Sequence, residues 1–389
     1  MSAVSSMSSM VATAKGRKRY RFGFVLNTTL GNLTRYENLR KYAERDPDVE
    51  FIWAPASHYT PPELRTRLRV LPAPLFVRAR MLQQAWPVLS RLDALDAVML
   101  HLFEADLLCA LRSHVRRQPV LISSTDEAPI VDRANYPLYP SDLNKPRWRQ
   151  RLRLALDRWR LGRMRAFIPF SDFAADILVR GCGVPAKDVH AIHVGLDLEL
   201  WKSEPRTAAL QPPRLQILFV GGDFLRKGGD VLLDVFKRRF IHTADLHLVT
   251  KQAPKDLPDH VRVYDDFVPN DPRLTALYAA SDVLVVPSTA DLGPLWVFLE
   301  AMAMRLPIIG TDTGASTEAI HHGTTGWVIK PNDAESLATA LQALIDDPGL
   351  RRQMGENGRA LVEQRFDAGV NVPRILGIMK DAVDAAASR

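Results

Sequence analysis

Short runs of apolar residues alternate with amphipathic stretches along almost the whole chain. The run at 21–27, with Phe22, Phe24, Val25 and Leu26, reads as a strand. The turn at 28–34 feeds a helix over 35–44, and 49–53 is a second strand. Residues 61–92 carry a helical pattern broken at prolines. Further short strands fall at 97–100, 120–123 and 166–169, with helical stretches between them. Apolar runs without polar alternation are what strands buried on both faces look like. Strands that alternate with helices predict a mostly parallel sheet covered by helices.

The pattern lapses after Leu200. Residues 202–213 are polar, hold three prolines and show no period, as an interdomain linker does. A second alternating series starts at 215–220 and continues through 246–249, 261–264, 283–286, 307–309 and 326–329. The expected α/β organisation is two doubly wound, Rossmann-like domains facing across a cleft. A disordered tail would span 1–19, the first domain 20–201, the linker 202–213 and the second domain 214–365. Helices over 366–389 are placed to pack back on the first domain. In such open sheets ligands bind at the carboxyl ends of the strands, which here line the cleft.

Composition narrows the class. At 389 residues the chain is long for one core and suits two domains. With 47% hydrophobic and 24% charged residues it is an ordinary core-forming chain. Cys109 and Cys182 are the two cysteines, far apart in sequence, which argues against a disulfide scaffold or a cysteine metal site and for a reducing cytosol. No 18-residue apolar run is present, so no spanning helix is expected. Residues 1–15 lack an apolar stretch and read as a tail rather than a signal peptide. The expected location is the cytoplasm.

The net charge of +7 is uneven. Arginines crowd 147–165, where Trp148, Leu152, Ala155, Leu156, Trp159 and Met164 recur at near-helical spacing. Tryptophan with arginine on an amphipathic helix suits an anionic membrane surface, such as the inner face of the plasma membrane. The plainer reading is a helix packed by its apolar stripe, with a solvated basic face. Nucleic acid is not expected as a partner, because no recognised nucleic-acid module accompanies the charge.

Two segments carry candidate chemistry. In the first, the buried strand 283–286 runs into a Gly/Pro turn and then a helix bearing a lone carboxylate, Glu300, about two turns in. A helix start after a strand end is an anion site, because free backbone N–H groups and the positive dipole end face the ligand. A carboxylate beside it suits ribose hydroxyls. In the second, the strand 215–220 leads into Gly221-Gly222-Asp223-Phe224-Leu225-Arg226-Lys227-Gly228-Gly229 and a helix over 231–240. Glycines admit close backbone approach and the cations neutralise phosphate. The segment is neither a P-loop nor a Gly-x-Gly-x-x-Gly turn. A surface loop with solvated basic residues is the bland alternative.

The block Leu299-Glu300-Ala301-Met302-Ala303 resembles the C-terminal signature of family-4 retaining glycosyltransferases, which have the GT-B fold. The Lys-Gly segment at Lys227, the Gly314 to Glu318 and Gly323 to Gly326 blocks, Ser171, and Gly195-Leu196-Asp197 resemble further landmarks of that family, in order over 20–370. The resemblance implies sugar transfer from a nucleotide diphosphate sugar to a glycan, lipid-linked or small-molecule hydroxyl, retaining and without metal or other cofactor. Lys227 and Arg226 would hold the donor diphosphate. Gly31, Gly222, Gly293, Leu295, Trp296 and Val297 would face the donor, and Glu300 would bind the ribose.

His101 and Asp126, at strand ends of the first domain, are further candidates. Where the family has its first signature Glu this chain has Leu292, with Asp291 one residue earlier. Either Asp291 takes that role through one extra turn residue, or the first acid is missing. Ser171 and Glu318 read more simply as a cap and a backbone brace. A sugar-nucleotide epimerase on the same fold, or a catalytically weakened relative serving as a membrane-associated scaffold, are the competing readings.

Overall fold

The computed structural model of the chain describes residues 19–28, 31–57, 73–101, 103–112, 119–124, 146–204, 214–268, 271–291 and 296–388. The first half builds β1 (Tyr20–Asn27), α1 (Asn32–Ala43), β2 (Val49–Ala56), α2 (Ala73–Leu89) and β3 (Ala97–His101). It continues through α3 (Phe103–Arg112), β4 (Val120–Ser123), α4 (Arg147–Leu161), β5 (Ala166–Phe167) and α5 (Asp172–Asp176). The second half opens with β6 (Leu215–Val220), α6 (Gly229–Val235), β7 (Ala244–Val249), β8 (Val261–Tyr264), α7 (Pro272–Ala280) and β9 (Val283–Val286). Then come α8 (Trp296–Ala303), β10 (Ile308–Thr311), α9 (Ser316–Ala319), β11 (Gly326–Ile329), α10 (Ala334–Asp346), α11 (Pro348–Arg365) and α12 (Ala368–Ala387).

The strands form two parallel sheets, β2-β1-β3-β4-β5 and β11-β10-β9-β6-β7-β8. The central strands β3, β4, β9 and β10 are buried along their full length, which is why they read as unbroken apolar runs. Each sheet reverses its winding once, between β1 and β3 in the first and between β6 and β9 in the second. Those crevices at the strand ends are where an open α/β sheet offers a ligand site. The elements that leave them carry Gly31, His101, Arg226, Lys227 and Asp291.

The two halves are joined twice. Leu196 donates its N–H to the Phe366 carbonyl at 2.7 Å and accepts from Ala368 N at 3.0 Å. Gly195 has φ +90, and a Cβ there would lie 2.5 Å from that Phe366 carbonyl, so this close crossing requires glycine. Helix α12 then packs Val372, Ile375, Leu376 and Met379 into the first core, against a cluster that includes Phe22, Phe24, Leu39 and Tyr42. Burying side chains of this size contributes about 1.5–3 kcal/mol each. The second half has its own core on each face of its sheet, around Phe219 and Phe236 on one and Phe298 and Tyr278 on the other.

One reading of the sequence is corrected in part. The apolar stripe of α4 packs inward only toward its end, where Leu156 and Trp159 are half-buried and Met164 is buried. Trp148, Leu152 and Ala155 are exposed, whereas Asp157, Arg160 and Leu161 are buried. Arg160 is ion-paired to Asp106 of α3 and to Asp157. An ion pair, with Leu161 beside it, therefore lies on the inner face of this helix. Among the described residues no helix is long and apolar enough to cross a membrane.

Candidate functional site

The loops after β6 and β9 are built against each other. Gly228 adopts φ +71, and a Cβ on it would lie 2.1 Å from the Pro287 carbonyl, so only glycine lets the loops meet. Thr289 donates its N–H at 2.9 Å and its hydroxyl at 3.1 Å to the Arg226 carbonyl. Across this seam Arg226 Nη1 donates to the Ala290 carbonyl at 2.8 Å and to Asp291 Oδ1 at 2.9 Å. Lys227 Nζ donates to the same oxygen at 2.7 Å. Arg226 also meets Asp223 at 3.2 Å.

Asp291 is thus shared by two cations, with its side chain only 8% exposed. Its second oxygen, Oδ2, is buried and without a hydrogen-bond partner among the described residues. Burial pushes the Lys227 ammonium down from its usual range, and Asp291 opposes that shift. Arg226 and Lys227 are thus balanced by Asp223 and Asp291, and Asp291 keeps one unsatisfied acceptor among the described residues.

Helix α8 is described from Trp296, and Glu300 lies about one turn beyond that residue. Glu300 is buried and accepts the Tyr278 hydroxyl at 2.7 Å. Burial pushes its carboxyl up to about 7, with the Tyr278 bond pulling the other way. The same burial, next to that carboxylate, raises the Tyr278 phenol. The carboxyl therefore sits near the middle of its titration at neutral pH, able to accept or to share a hydroxyl proton.

The facing wall comes from the first sheet. His101 Nδ1 lies 3.1 Å from Arg35 Nη1. A guanidinium only donates, so Nδ1 is the acceptor and the ring proton belongs on Nε2. Arg35 Nη2 also donates to the Ser124 hydroxyl at 2.5 Å, and the guanidinium stacks on Phe170 at 3.4 Å. An aromatic row continues from His101 through Phe170 (5.8 Å) and His193 (6.3 Å) to Trp296 (5.1 Å). Trp296 closes the row from the other domain and lies on Gly31, where a Cβ would be 2.8 Å from its Cδ1.

Arg35 and Tyr278, which hold His101 and Glu300, were not among the residues expected from the sequence. At Gly222 an added Cβ would meet nothing within 4 Å, so that backbone borders open space. Val297 is half-buried on α8. Asp126, Gly293 and Leu295 lie outside the described residues. Ser171 caps α5, accepting Ala174 N at 3.0 Å. Glu318 braces backbone, accepting from Phe173 N and Asp172 N at the start of α5. Among the described residues no three His, Cys, Asp or Glu side chains gather as a metal site.

Known proteins match both halves. A model described as Glycosyltransferase Family 4 matches residues 34–200, and one described as Glycosyl transferases group 1 matches residues 214–347. D-inositol 3-phosphate glycosyltransferase 1 of Catenulispora acidiphila is 29% identical over 55% of this chain and 57% of its own. Alpha-D-kanosaminyltransferase of Streptomyces kanamyceticus is 25% identical over 56% of this chain and 60% of its own. The chain thus spans somewhat over half the length of these curated relatives.

Among solved structures, sucrose-phosphate synthase from Thermosynechococcus elongatus superposes with a TM-score of 0.72 at 17% identity, over 94% of this chain and 100% of that one. Anabaena HepE in complex with UDP-glucose gives 0.65 at 17% identity, over 95% and 100%. With one model on each sheet and the shared two-sheet architecture, the chain belongs to the family-4 glycosyltransferases, on the GT-B fold.

Proposed function

We propose that the chain transfers a sugar from a nucleotide diphosphate sugar to a hydroxyl acceptor, with retention at the anomeric carbon and without a metal ion. The observation that carries this reading is the convergence of Lys227 and Arg226 on Asp291 at the switch point of the second sheet. A half-buried cation pair there suits a leaving diphosphate, whose growing negative charge it would offset in the role a divalent metal fills elsewhere. The relatives are glycosyltransferases by name, and the Anabaena protein holds UDP-glucose.

In this reading Glu300 receives the ribose hydroxyls, and the backbone N–H groups of Gly293, Leu295, Trp296 and Val297 would serve the diphosphate. Gly222 leaves room for the donor, and Gly31 admits the Trp296 ring beside it. His101, held by Arg35, borders the sugar, and Asp126 and Asp291 supply nearby carboxylates. The acceptor oxygen bonds to the anomeric carbon on the leaving-group side while the bond from that carbon to the diphosphate oxygen breaks. The acceptor proton passes to that diphosphate oxygen, so no protein nucleophile is needed. Closure of the cleft excludes water.

The test is thermal stabilisation by a panel of nucleotides and sugar nucleotides, on the intact protein and on Lys227→Ala and Glu300→Gln. Saturation at a hundredfold over Kd stabilises by about 2.7 kcal/mol. A shift for one nucleotide family that both substitutions remove supports the donor site and names the base. No shift with any of them overturns the reading.

A further inference from the structure

Sugar transfer does not use the outward stripe of α4. On a helix Trp148, Leu152, Ala155 and Trp159 share one face. Trp148 is 62% and Leu152 64% exposed, Ala155 is exposed and Trp159 is half-buried. The helix is held to its domain from the opposite side, through Arg160, Asp157 and Leu161.

Basic groups flank the stripe. Arg149, Arg151 and Arg158 are exposed, with Arg149 over the Trp148 ring at 5.2 Å and Arg163 over Trp159 at 4.2 Å. The single carboxylate of α4 is Asp157, and it is buried. The neighbouring helices also carry exposed apolar residues, with Leu111 of α3 51% exposed and Trp86 of α2 64% exposed. Helix α3 packs against both α2 and α4. Single exposed hydrophobics are ordinary, but a set on adjacent helices, rimmed by arginine, is a docking surface.

We propose that this face seats the protein on an anionic phospholipid surface. Trp148 and Leu152 enter the boundary between headgroups and acyl chains, and Arg149, Arg151 and Arg158 meet the lipid phosphates. Charge complementarity selects lipid: the exposed face of α4 is basic and apolar with no carboxylate, whereas a second copy would bring arginine against arginine. Indole rings with one apolar body and one polar N–H suit that boundary. The inference does not depend on the donor site.

The experiment is co-sedimentation of the full chain with vesicles of phosphatidylcholine alone, and of phosphatidylcholine with roughly a third phosphatidylglycerol. Two double variants accompany it, Trp148→Ser with Leu152→Ser and Arg149→Gln with Arg151→Gln. All four residues are exposed, so an unchanged melting midpoint will certify the fold. The intact chain is expected to sediment with the anionic vesicles only and to be released by raised salt, and each double variant to partition roughly tenfold more weakly or less still. An intact chain that stays in solution, or variants that bind equally well, overturns the proposal. Self-association that the Trp148→Ser, Leu152→Ser variant abolishes, without lipid binding, would assign the stripe to a contact between copies and overturn it too.

Discussion

Glu318 caps a helix of the other domain: its Oε1 accepts the backbone N–H of Phe173 at 2.9 Å and its Oε2 that of Asp172 at 3.2 Å. These N–H groups stand in the first turn of α5, where a carboxylate accepts from them and meets the positive end of the helix. Arg365 pairs with Asp172 beside it at 3.1 Å. These contacts tie the second domain to the start of α5 and so restrain how the two domains meet. Glu318→Ala is expected to cost about 1 kcal/mol, as lost caps do, and to enlarge the radius of gyration. Guanidinium unfolding and small-angle scattering check both. Unchanged dimensions would show that the cleft is set elsewhere.

Asp291 occupies the cations that a diphosphate needs. Lys227 and Arg226 both donate to its Oδ1, so in the unliganded protein one carboxylate already neutralises part of the site. Asp291→Asn keeps the shape and removes that competing charge. Nucleoside diphosphate should then bind more tightly, by roughly tenfold or about 1.4 kcal/mol. Turnover should fall if Asp291 has the catalytic role proposed for it. Calorimetric titration and a transfer assay separate the two effects. Weaker diphosphate binding in this variant would show that Asp291 orients the cations more than it competes for them.

Much of this site is legible in the sequence because parallel strands buried on both faces leave continuous apolar runs. The residues just beyond those runs, His101, Lys227 and Asp291, sit at strand ends for that reason. Arg35 and Tyr278 were not legible. An arginine on α1 looks like any surface arginine, and its partners lie 66 and 89 residues away. Tyr278 reads as one more core aromatic, and only its bond to Glu300 distinguishes it. The α4 stripe was visible as periodicity, but periodicity does not say which face is inward. That was decided by the ion pair from Arg160 to Asp106, a contact 54 residues apart.

Gly228 and Gly222 should respond oppositely to the same substitution. Gly228→Ala places a methyl 2.1 Å from the Pro287 carbonyl, at φ +71. Neither the backbone nor that neighbour can yield cheaply, so a loss of about 2–4 kcal/mol is expected, together with displacement of Lys227. Gly222→Ala meets nothing within 4 Å and should stay within about 0.5 kcal/mol of the parent. Melting midpoints of the two variants make the comparison. Equal midpoints would mean that the loops after β6 and β9 do not meet as described.

The Glu300 carboxyl should make stability depend on pH in a direction opposite to that of a paired surface acid. Its folded value is about 7 against an ordinary 4.5, because burial disfavours the charged form. Below about 4.5 both folded and unfolded chains hold the proton, and the contribution is fully present. Between 4.5 and 7 the unfolded chain releases its proton while the folded chain keeps it, so stability falls as pH rises, levelling off above 7. The loss approaches about 3 kcal/mol. Glu300→Gln can still accept from Tyr278 but cannot titrate, so its stability relative to the parent should grow across that window. A ribose that donates hydroxyls to Glu300 favours the carboxylate, so nucleotide affinity should rise through pH 7 in the parent and not in the variant. Denaturant unfolding and nucleotide titration, each from pH 4.5 to 8, measure the two slopes. Parallel stability curves for parent and variant would mean that Glu300 is already ionised in the folded protein and that the ribose meets a permanent charge.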